Sequence, residues 1–135
     1  MKKLFNTKYT DRSLSFSFLL LRVAMGGLMI PHGYKKLVNF AEKSSTFADP
    51  FHIGGTLSMG LTIFAEFFCA ILVVLGLMTR LACIPLIIAM TVVVFYSHNG
   101  EIFGEGELPA LFLAGFIVIF FTGPGKLSLD RVIGK

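Results

Sequence analysis

Two charged side chains lie inside long apolar runs of the chain. Arg22 falls within FLLLRVAMGG, and Glu66 falls within LTIFAEFFCAIL. A guanidinium left among lipid tails costs roughly 2.5 to 3.5 kcal/mol on insertion scales. The planar guanidinium can form two parallel hydrogen bonds with a carboxylate. We therefore predict that Arg22 and Glu66 pair with each other at mid-membrane depth, across two consecutive antiparallel helices.

Small and polar residues recur at helical spacing around both charges. Thr62 precedes Glu66 by one helical turn, and Gly26 follows Arg22 by one turn, so each shares a helix face with its charged neighbour. Two interpretations stay open. The pair either fixes only how the two helices pack, or the four residues line a polar cavity that holds an anionic or quinone-like group or relays protons.

A second polar cluster is expected at the outer ends of the apolar runs. His32 and Lys36 follow the first run, His98 follows the third, and Glu107 opens the fourth. Two histidines with a carboxylate could shuttle a proton or ligate a metal. Because the spacing is not that of a recognised metal motif, we predict no metal site, and we expect His32 or His98 to pass protons to the outside.

The composition indicates which elements position these residues. Of the 135 residues, 55% are hydrophobic and only 15% are charged, and the mean hydropathy is +0.79. Such a chain is too apolar for a water-soluble domain of this size. Four runs approach the roughly 20 residues that cross a bilayer: 14–34, 54–78, 81–98 and 108–123. We predict an all-α membrane four-helix bundle forming one domain over residues 1–135, with a short last helix.

The basic residues are divided unequally between the two sides of this bundle. One side is expected to carry Lys2, Lys3, Lys8, Arg12, Arg80, Lys126, Arg131 and Lys135. The other side carries only Lys35, Lys36 and Lys43. The positive-inside rule then places both termini in the cytoplasm. The connection between the first two runs is amphipathic, and Phe40, Phe47 and Phe51 in it are expected to face lipid.

Several classes of function are excluded by the sequence. The basic residues lie at the chain ends and in one loop, where they meet lipid head groups, so nucleic-acid binding is rejected. Cys69 and Cys83 lack the CxxC spacing of redox or zinc sites and are expected to fill space in the core. No flavin motif or haem-ligation signature is present either, so the chain is not expected to be a self-contained oxidoreductase.

Four ordered segments give the chain a resemblance to a known family. RVAMGGLMIPHGYKKL, FAEFFCAILVVLGLMTRLA, GELPALFLAGFIVIFFTG and GPGKLSLD together resemble the DoxX family over about residues 18–131. The resemblance implies a small four-helix, multi-pass protein of the bacterial inner (cytoplasmic) membrane, from a family named after a subunit of a thiosulfate:quinone oxidoreductase. The family pattern falls on Arg22, Gly26, His32, Gly33, Lys36, Glu66, Gly76, Arg80, Glu107, Gly123, Gly125, Ser128 and Asp130.

Three functions remain open at this point. The leading hypothesis is an accessory membrane subunit, linked to redox chemistry through quinone or a partner redox subunit, with Arg22 and Glu66 holding the bound group. A second hypothesis is a transporter or channel for an anion or metabolite. Four short helices leave little room for a pore, so this role requires a homo-oligomer. A third is a membrane scaffold that recruits soluble enzymes. In each case the lipid bilayer surrounds the protein.

Overall fold

The computed structural model describes residues 1–134 and shows a bundle of helices, with no strand in that range. Its elements are α1 (Asp11–Val38), α2 (Phe40–Lys43), α3 (Gly55–Leu75), α4 (Thr79–Ser97), α5 (Glu107–Thr122) and α6 (Leu129–Ile133). Three of these, α1, α3 and α4, are long and apolar enough to cross a membrane, whereas α5 has 16 residues. The all-α membrane bundle predicted from the sequence is confirmed.

The two chain ends lie on the same side of the bundle. Lys126, after α5, forms an ion pair of 3.1 Å with Asp11 at the start of α1. We call this the terminal side, and the opposite side, with the α1–α3 and α4–α5 connections, the loop side. Lys135, one of the basic residues assigned to the terminal side, lies outside the described residues.

Helix α1 is longer than its hydropathy indicates. Thr10 caps its first turn by accepting a hydrogen bond from the Ser13 backbone N–H at 3.1 Å. The helix then continues through Pro31 to Val38, four residues beyond the predicted end. As a result Lys36 belongs to α1, and it shares a face with His32 one turn earlier.

Helices α3 and α4 each contain a segment of wider π-helical turns. In α3 this segment is Phe64–Cys69, which carries Glu66, and in α4 it is Val93–Ser97. Such segments are rare and often mark functional sites. Helix α3 ends in a Schellman motif, with Gly76 left-handed at φ 70° and the Leu77 N–H bonded to the Leu72 carbonyl at 2.9 Å.

Small residues let the helices approach closely in the core. A Cβ atom at Gly26 would lie 2.8 Å from the Ala70 carbonyl oxygen, and one at Gly33 would lie 2.6 Å from the backbone of Glu66. Cys69 and Cys83 are buried and free, and both belong to the apolar core, as the sequence predicts. Close backbone packing of this kind holds helices together where lipid removes the hydrophobic drive to associate.

The connection between α1 and α3 folds back on the start of α3. The Asp49 carboxylate accepts hydrogen bonds from the Ile53 and Gly54 backbone N–H groups at 2.9 and 2.8 Å. The Ser58 hydroxyl donates to the Ala48 carbonyl at 2.8 Å. Of the phenylalanines expected to face lipid, Phe51 is exposed, whereas Phe47 is half-buried because the connection turns it toward the bundle. Phe40 is also half-buried.

Candidate functional site

Arg22 and Glu66 are both buried, but the predicted pair between them is wrong. The exposed fraction is 1% for Arg22 and 2% for Glu66. Glu66 instead forms an ion pair with Lys36, with 2.5 Å between Nζ and Oε2. Arg22 donates from Nη2 to the Leu127 carbonyl oxygen at 2.6 Å. The two buried charges therefore belong to two separate sites.

The register of α1 against α3 explains this difference. Gly33 packs on the backbone of Glu66, and the side chain of Arg22 packs on Gly76, at the end of α3. Eleven residues separate Arg22 from Gly33, which corresponds to about 16 Å along α1. The predicted pair requires the terminal-side ends of the runs 14–34 and 54–78 to lie near the same depth, which displaces the two helices relative to each other. Arg22 lies near the terminal side rather than at mid-depth, while Glu66 lies at the middle of α3.

The Lys36–Glu66 pair joins α1 to the π-helical segment of α3. Glu66 is fully enclosed, whereas 29% of the Lys36 side chain is exposed. Lys36 lies one turn beyond Gly33, and its aliphatic stem reaches back along the bundle to the carboxylate. The pair is formally neutral, which lowers the free energy of placing either charge inside the bundle.

An apolar groove of about 300 Å³ has Lys36 among its lining residues. It follows α4 from Pro85 to Ser97, which is about 18 Å of helix. Its other walls come from α3 and from the α1–α3 connection, which covers its loop-side end. The remaining lining residues are Phe47, Ala48, Pro50, Phe51, Ile53, Ser58, Leu61, Thr62, Phe64, Ala65, Ile88, Ala89, Val92 and Val93.

The groove is open toward the surroundings of the bundle. Leu61 and Phe64 on α3, and Ile88 on α4, line the groove and are about half exposed. In a membrane these side chains contact lipid, so the opening faces the hydrocarbon. Thr62 lines the groove as well, but its hydroxyl donates to the Ser58 carbonyl at 2.9 Å. Lys36 is the one charged residue among those that line the groove.

A smaller cavity of about 110 Å³ lies on the other side of Lys36, and we call it the vestibule. Its polar lining consists of His32, Lys36 and Glu66, and its other walls are Met29, Met90, Val93, Leu108, Pro109 and Phe112. The His32 ring packs edge-on against Phe112, with 5.9 Å between centroids. Lys36 and Val93 line both cavities, so the ion pair stands between the groove and the vestibule.

The predicted outer cluster divides into two parts. His32 and Lys36 meet at the vestibule. His98 instead lies 4.0 Å from the Glu105 carboxylate, and Glu107 is exposed at the first position of α5. Neither of these two residues lines the groove or the vestibule. Within residues 1–134, no three His, Cys, Asp or Glu side chains are grouped so that they could hold a metal ion.

The carboxyl-terminal segment covers Arg22. Asp130 accepts hydrogen bonds from the backbone N–H groups of Met78 at 2.6 Å and Thr79 at 2.9 Å. Its own N–H donates to the Gly76 carbonyl at 2.8 Å. Gly76 is required here, because a Cβ atom would overlap Nη1 of Arg22 and lie 2.6 Å from Cβ of Ser128.

The charge of Arg22 also acts on Asp130. Partial burial alone would raise the pKa of Asp130, but the hydrogen bonds from the Thr79 and Met78 backbones, together with the nearby Arg22 guanidinium, hold that pKa below its ordinary value. Asp130 is therefore a carboxylate at neutral pH and balances the buried guanidinium. Asp130 was expected only through the family resemblance, which implied no role for it.

Two further glycines, Gly123 and Gly125, let the carboxyl-terminal segment pack against the bundle. Gly123 has φ 79°, and a Cβ atom there would lie 3.0 Å from Nη2 of Arg80. Arg80 in turn donates from Nε to the Phe120 carbonyl at 3.1 Å, at the end of α5. Gly125, with φ 78°, packs against Phe18. Gly26, predicted in the Arg22 site, packs on α3 and lines neither cavity.

Comparisons with known proteins agree with this architecture. A family model described as DoxX matches residues 17–99. The inner membrane protein YphA of Escherichia coli is 30% identical over 138 residues, covering 92% of this chain and 96% of the relative. A second Escherichia coli protein, the inner membrane protein YqjF, is 26% identical over 123 residues, covering 87% of this chain and 92% of the relative.

A protein of Haemophilus influenzae is 30% identical over 140 residues, covering 95% of this chain and 96% of the relative. No solved structure matches the chain. The family model ends at residue 99, so it includes Arg22, Lys36 and Glu66 but not α5 or the segment that carries Asp130. The chain belongs to the DoxX family and is a multi-pass protein of the inner membrane.

Proposed function

We propose that this protein binds a neutral, membrane-soluble carbonyl compound of the quinone class, as an accessory subunit of a redox-linked membrane system. The observation that carries the proposal is an apolar groove that opens to the lipid and has one charged lining residue, Lys36, which is paired with the buried Glu66. Small-molecule sites share this arrangement of apolar walls with a few polar groups at one point.

The shape of the groove favours a long apolar molecule. Its length of about 18 Å along α4 exceeds that of one ring, and its volume of about 300 Å³ is at the low end of the range for small-molecule sites. The ring and the first part of a tail would lie in the groove. The rest of the tail would leave between the exposed side chains of Leu61, Phe64 and Ile88 and enter the bilayer.

The charge of the site favours a neutral head group. The hydroxyls of Ser58 and Thr62 already donate to backbone carbonyls. Of the other polar residues that line the groove, Ser97 carries a neutral hydroxyl, and Lys36 is the one charged donor. It would donate to a carbonyl oxygen of the ring. Because Glu66 neutralises Lys36, a carboxylate-bearing lipid gains less at this site than it would at an unpaired lysine.

Any electron transfer would need a second protein. The sequence carries no flavin motif, haem signature or redox cysteine pair, so the electrons would be exchanged with a partner redox subunit. In this role the chain itself binds and orients the head group and keeps water from it. In this proposal the protein is therefore a binding subunit rather than a self-contained enzyme.

Binding of a short-tailed quinone by the full-length protein in lipid nanodiscs tests the proposal. Lys36→Gln replaces the charged donor with a shorter, neutral amide and should weaken binding by up to about 10-fold, because hydrogen bonds from charged groups are the stronger ones. Ala89→Phe fills the groove and should weaken it by at least about 10-fold. Lys35→Gln is the matched control, because Lys35 is exposed and lies outside both cavities.

Competition with palmitate distinguishes a site for quinones from a site for fatty acids. The proposal expects the quinone to bind more tightly than palmitate in the wild-type protein. Equal quinone affinity in the wild-type, Lys36→Gln and Ala89→Phe proteins would contradict it, and so would tighter binding of the fatty acid. Thermal denaturation of each variant shows whether a loss of binding reflects a loss of folding.

A further inference from the structure

We propose that the vestibule is a hydrated proton route that connects the loop-side surface, through His32, to the Lys36–Glu66 pair. The inference rests on the proposed ligand site, because the pair that would exchange protons is also the pair that would bind the head group. It adds the vestibule to that site and assigns a role to His32, which does not line the groove.

The size and lining of the vestibule suit water. Its volume of about 110 Å³ exceeds that needed for one water molecule, since a site of roughly 10 to 15 Å³ is enough. A buried water also needs two to four polar partners. His32, Lys36 and Glu66 supply an imidazole, an ammonium and a carboxylate around the same space. Three of the nine residues that line the vestibule are ionisable, against one of the seventeen that line the groove.

The vestibule lies close to the loop-side surface. Leu108 and Pro109 form part of its wall and directly follow Glu107, which is exposed at the start of α5. Helix α5 has only 16 residues, so it covers about 24 Å and brings its loop-side end nearer to the bundle centre than the longer helices do. His32 is exposed at the rim of the vestibule beside this short helix end, and its imidazole can accept and donate a proton there.

The charged groups around the route come from three helices and one loop. Helix α1 contributes His32 and Lys36, and α3 contributes Glu66. Helix α4 contributes only the apolar Met90 and Val93. Helix α5 contributes Leu108, Pro109 and Phe112 to the wall, with Glu107 beyond them at the surface, and the α4–α5 loop adds Glu101 and Glu105. The acidic surface favours the approach of protons.

The proton movement itself is simple and balanced. When Lys36 gives its proton to a group in the groove, it becomes a neutral amine, and the Glu66 carboxylate loses its cation. A proton from bulk water then passes by way of His32 and the vestibule waters to the Glu66 carboxylate. Glu66 transfers this proton to the Lys36 amine and becomes a carboxylate again, which restores the ion pair. No electron moves in these steps, and the net change is one proton moved from bulk water to the groove.

Infrared spectroscopy of the full-length protein after a light-released proton pulse tests the route without a bound quinone. The Glu66 carboxylate band is identified by its loss in Glu66→Gln. His32→Phe should slow protonation of Glu66 by about 100-fold, the lower end of what a positioned acid–base group contributes. Leu108→Trp, which narrows the vestibule but keeps His32, should slow it as well. His52→Phe is the matched control, because His52 is exposed in the α1–α3 connection.

An unchanged protonation rate in both His32→Phe and Leu108→Trp would overturn the proton route. His32→Asp keeps an ionisable group and should restore part of the rate, whereas a purely structural role for His32 predicts no such rescue. The two proposals fail separately. Quinone binding can be lost with the route intact, and protonation can be independent of His32 in a protein that still binds quinone.

Discussion

At the scale of single residues, Arg22 and Glu66 were predicted to pair, but the structure places them in two separate sites. Both Arg22 and Glu66 were expected to be buried, and both are. Their partners could not be predicted from the spans alone. Lys36 was assigned to an outer cluster because it follows the apolar run, yet the length of a lysine side chain lets it reach back by a turn to Glu66. Leu127, which accepts from Arg22, offers only a backbone carbonyl, for which the sequence gives no signal.

Asp130 carries the most direct prediction at this scale. Asp130→Asn weakens two charge-assisted hydrogen bonds and removes the charge that balances Arg22. At neutral pH we expect a loss of about 1 to 2 kcal/mol in the free energy of unfolding, measured by thermal denaturation in detergent. Asp11→Asn is the control and should change stability little, because its ion pair with Lys126 is exposed.

The pH dependence of this effect has a definite sign. The folded-state pKa of Asp130 lies below the ordinary value of 3.8, so the stabilisation is present above that pH and is lost as the pH falls through the folded-state pKa. The difference between wild-type and Asp130→Asn should therefore shrink in acid below about pH 4. A difference that stays constant throughout this acidic range, or grows within it, would contradict this account.

At the scale of helices, hydropathy identifies the elements but not their register. The four apolar runs correspond to α1, α3, α4 and α5, because burial in lipid requires runs of this length and composition. Both ends of α1 were misplaced because the predicted run 14–34 stops at the polar residues on either side, although the helix begins at Asp11 and continues to Val38. Relative depth depends on such ends, so the predicted register of α1 on α3 was wrong as well.

The contact of Gly33 with α3 determines that register and can be tested. Gly33→Ala places a methyl group 2.6 Å from the backbone of Glu66 and Phe67, which cannot move aside as a side chain could. We expect a loss of roughly 1 to 3 kcal/mol in the free energy of unfolding, typical of overpacking.

Gly27→Ala is the matched control, because no atom lies within 4 Å of a Cβ at that position. Helix propensity alone should stabilise this control by up to about 1 kcal/mol. Thermal denaturation of the two variants side by side decides the question. Equal stability of the two would show that α1 and α3 do not approach as closely as described.

At the scale of the whole molecule, the distribution of charge predicts how the bundle lies in the membrane. Apart from Arg22, the terminal side carries most of the basic residues, whereas the α4–α5 loop carries glutamates and no Lys or Arg. We propose that the terminal side faces the cytoplasm. The groove and the vestibule would then be closest to the opposite surface.

Reporter fusions measure this orientation. A reporter that fluoresces only in the cytoplasm should be active at the carboxyl terminus, and alkaline phosphatase, which is active only outside the cytoplasm, should be active in the loop of residues 98–106. The reverse pattern would contradict the proposed orientation and would move the acidic loop to the cytoplasmic surface. In the control fusions the two reporters exchange positions, and both should then be inactive.

The hydrogen bond between Arg22 and Leu127 joins residues that are 105 positions apart in the chain. During synthesis the guanidinium enters the membrane with the first helix, long before its acceptor leaves the ribosome. Until then the nascent chain must hold that cation toward the head groups, where water can solvate it. Docking of the segment that carries Leu127 then removes this exposed charge, so the final position of the first helix depends on a segment that is made after all the other membrane helices.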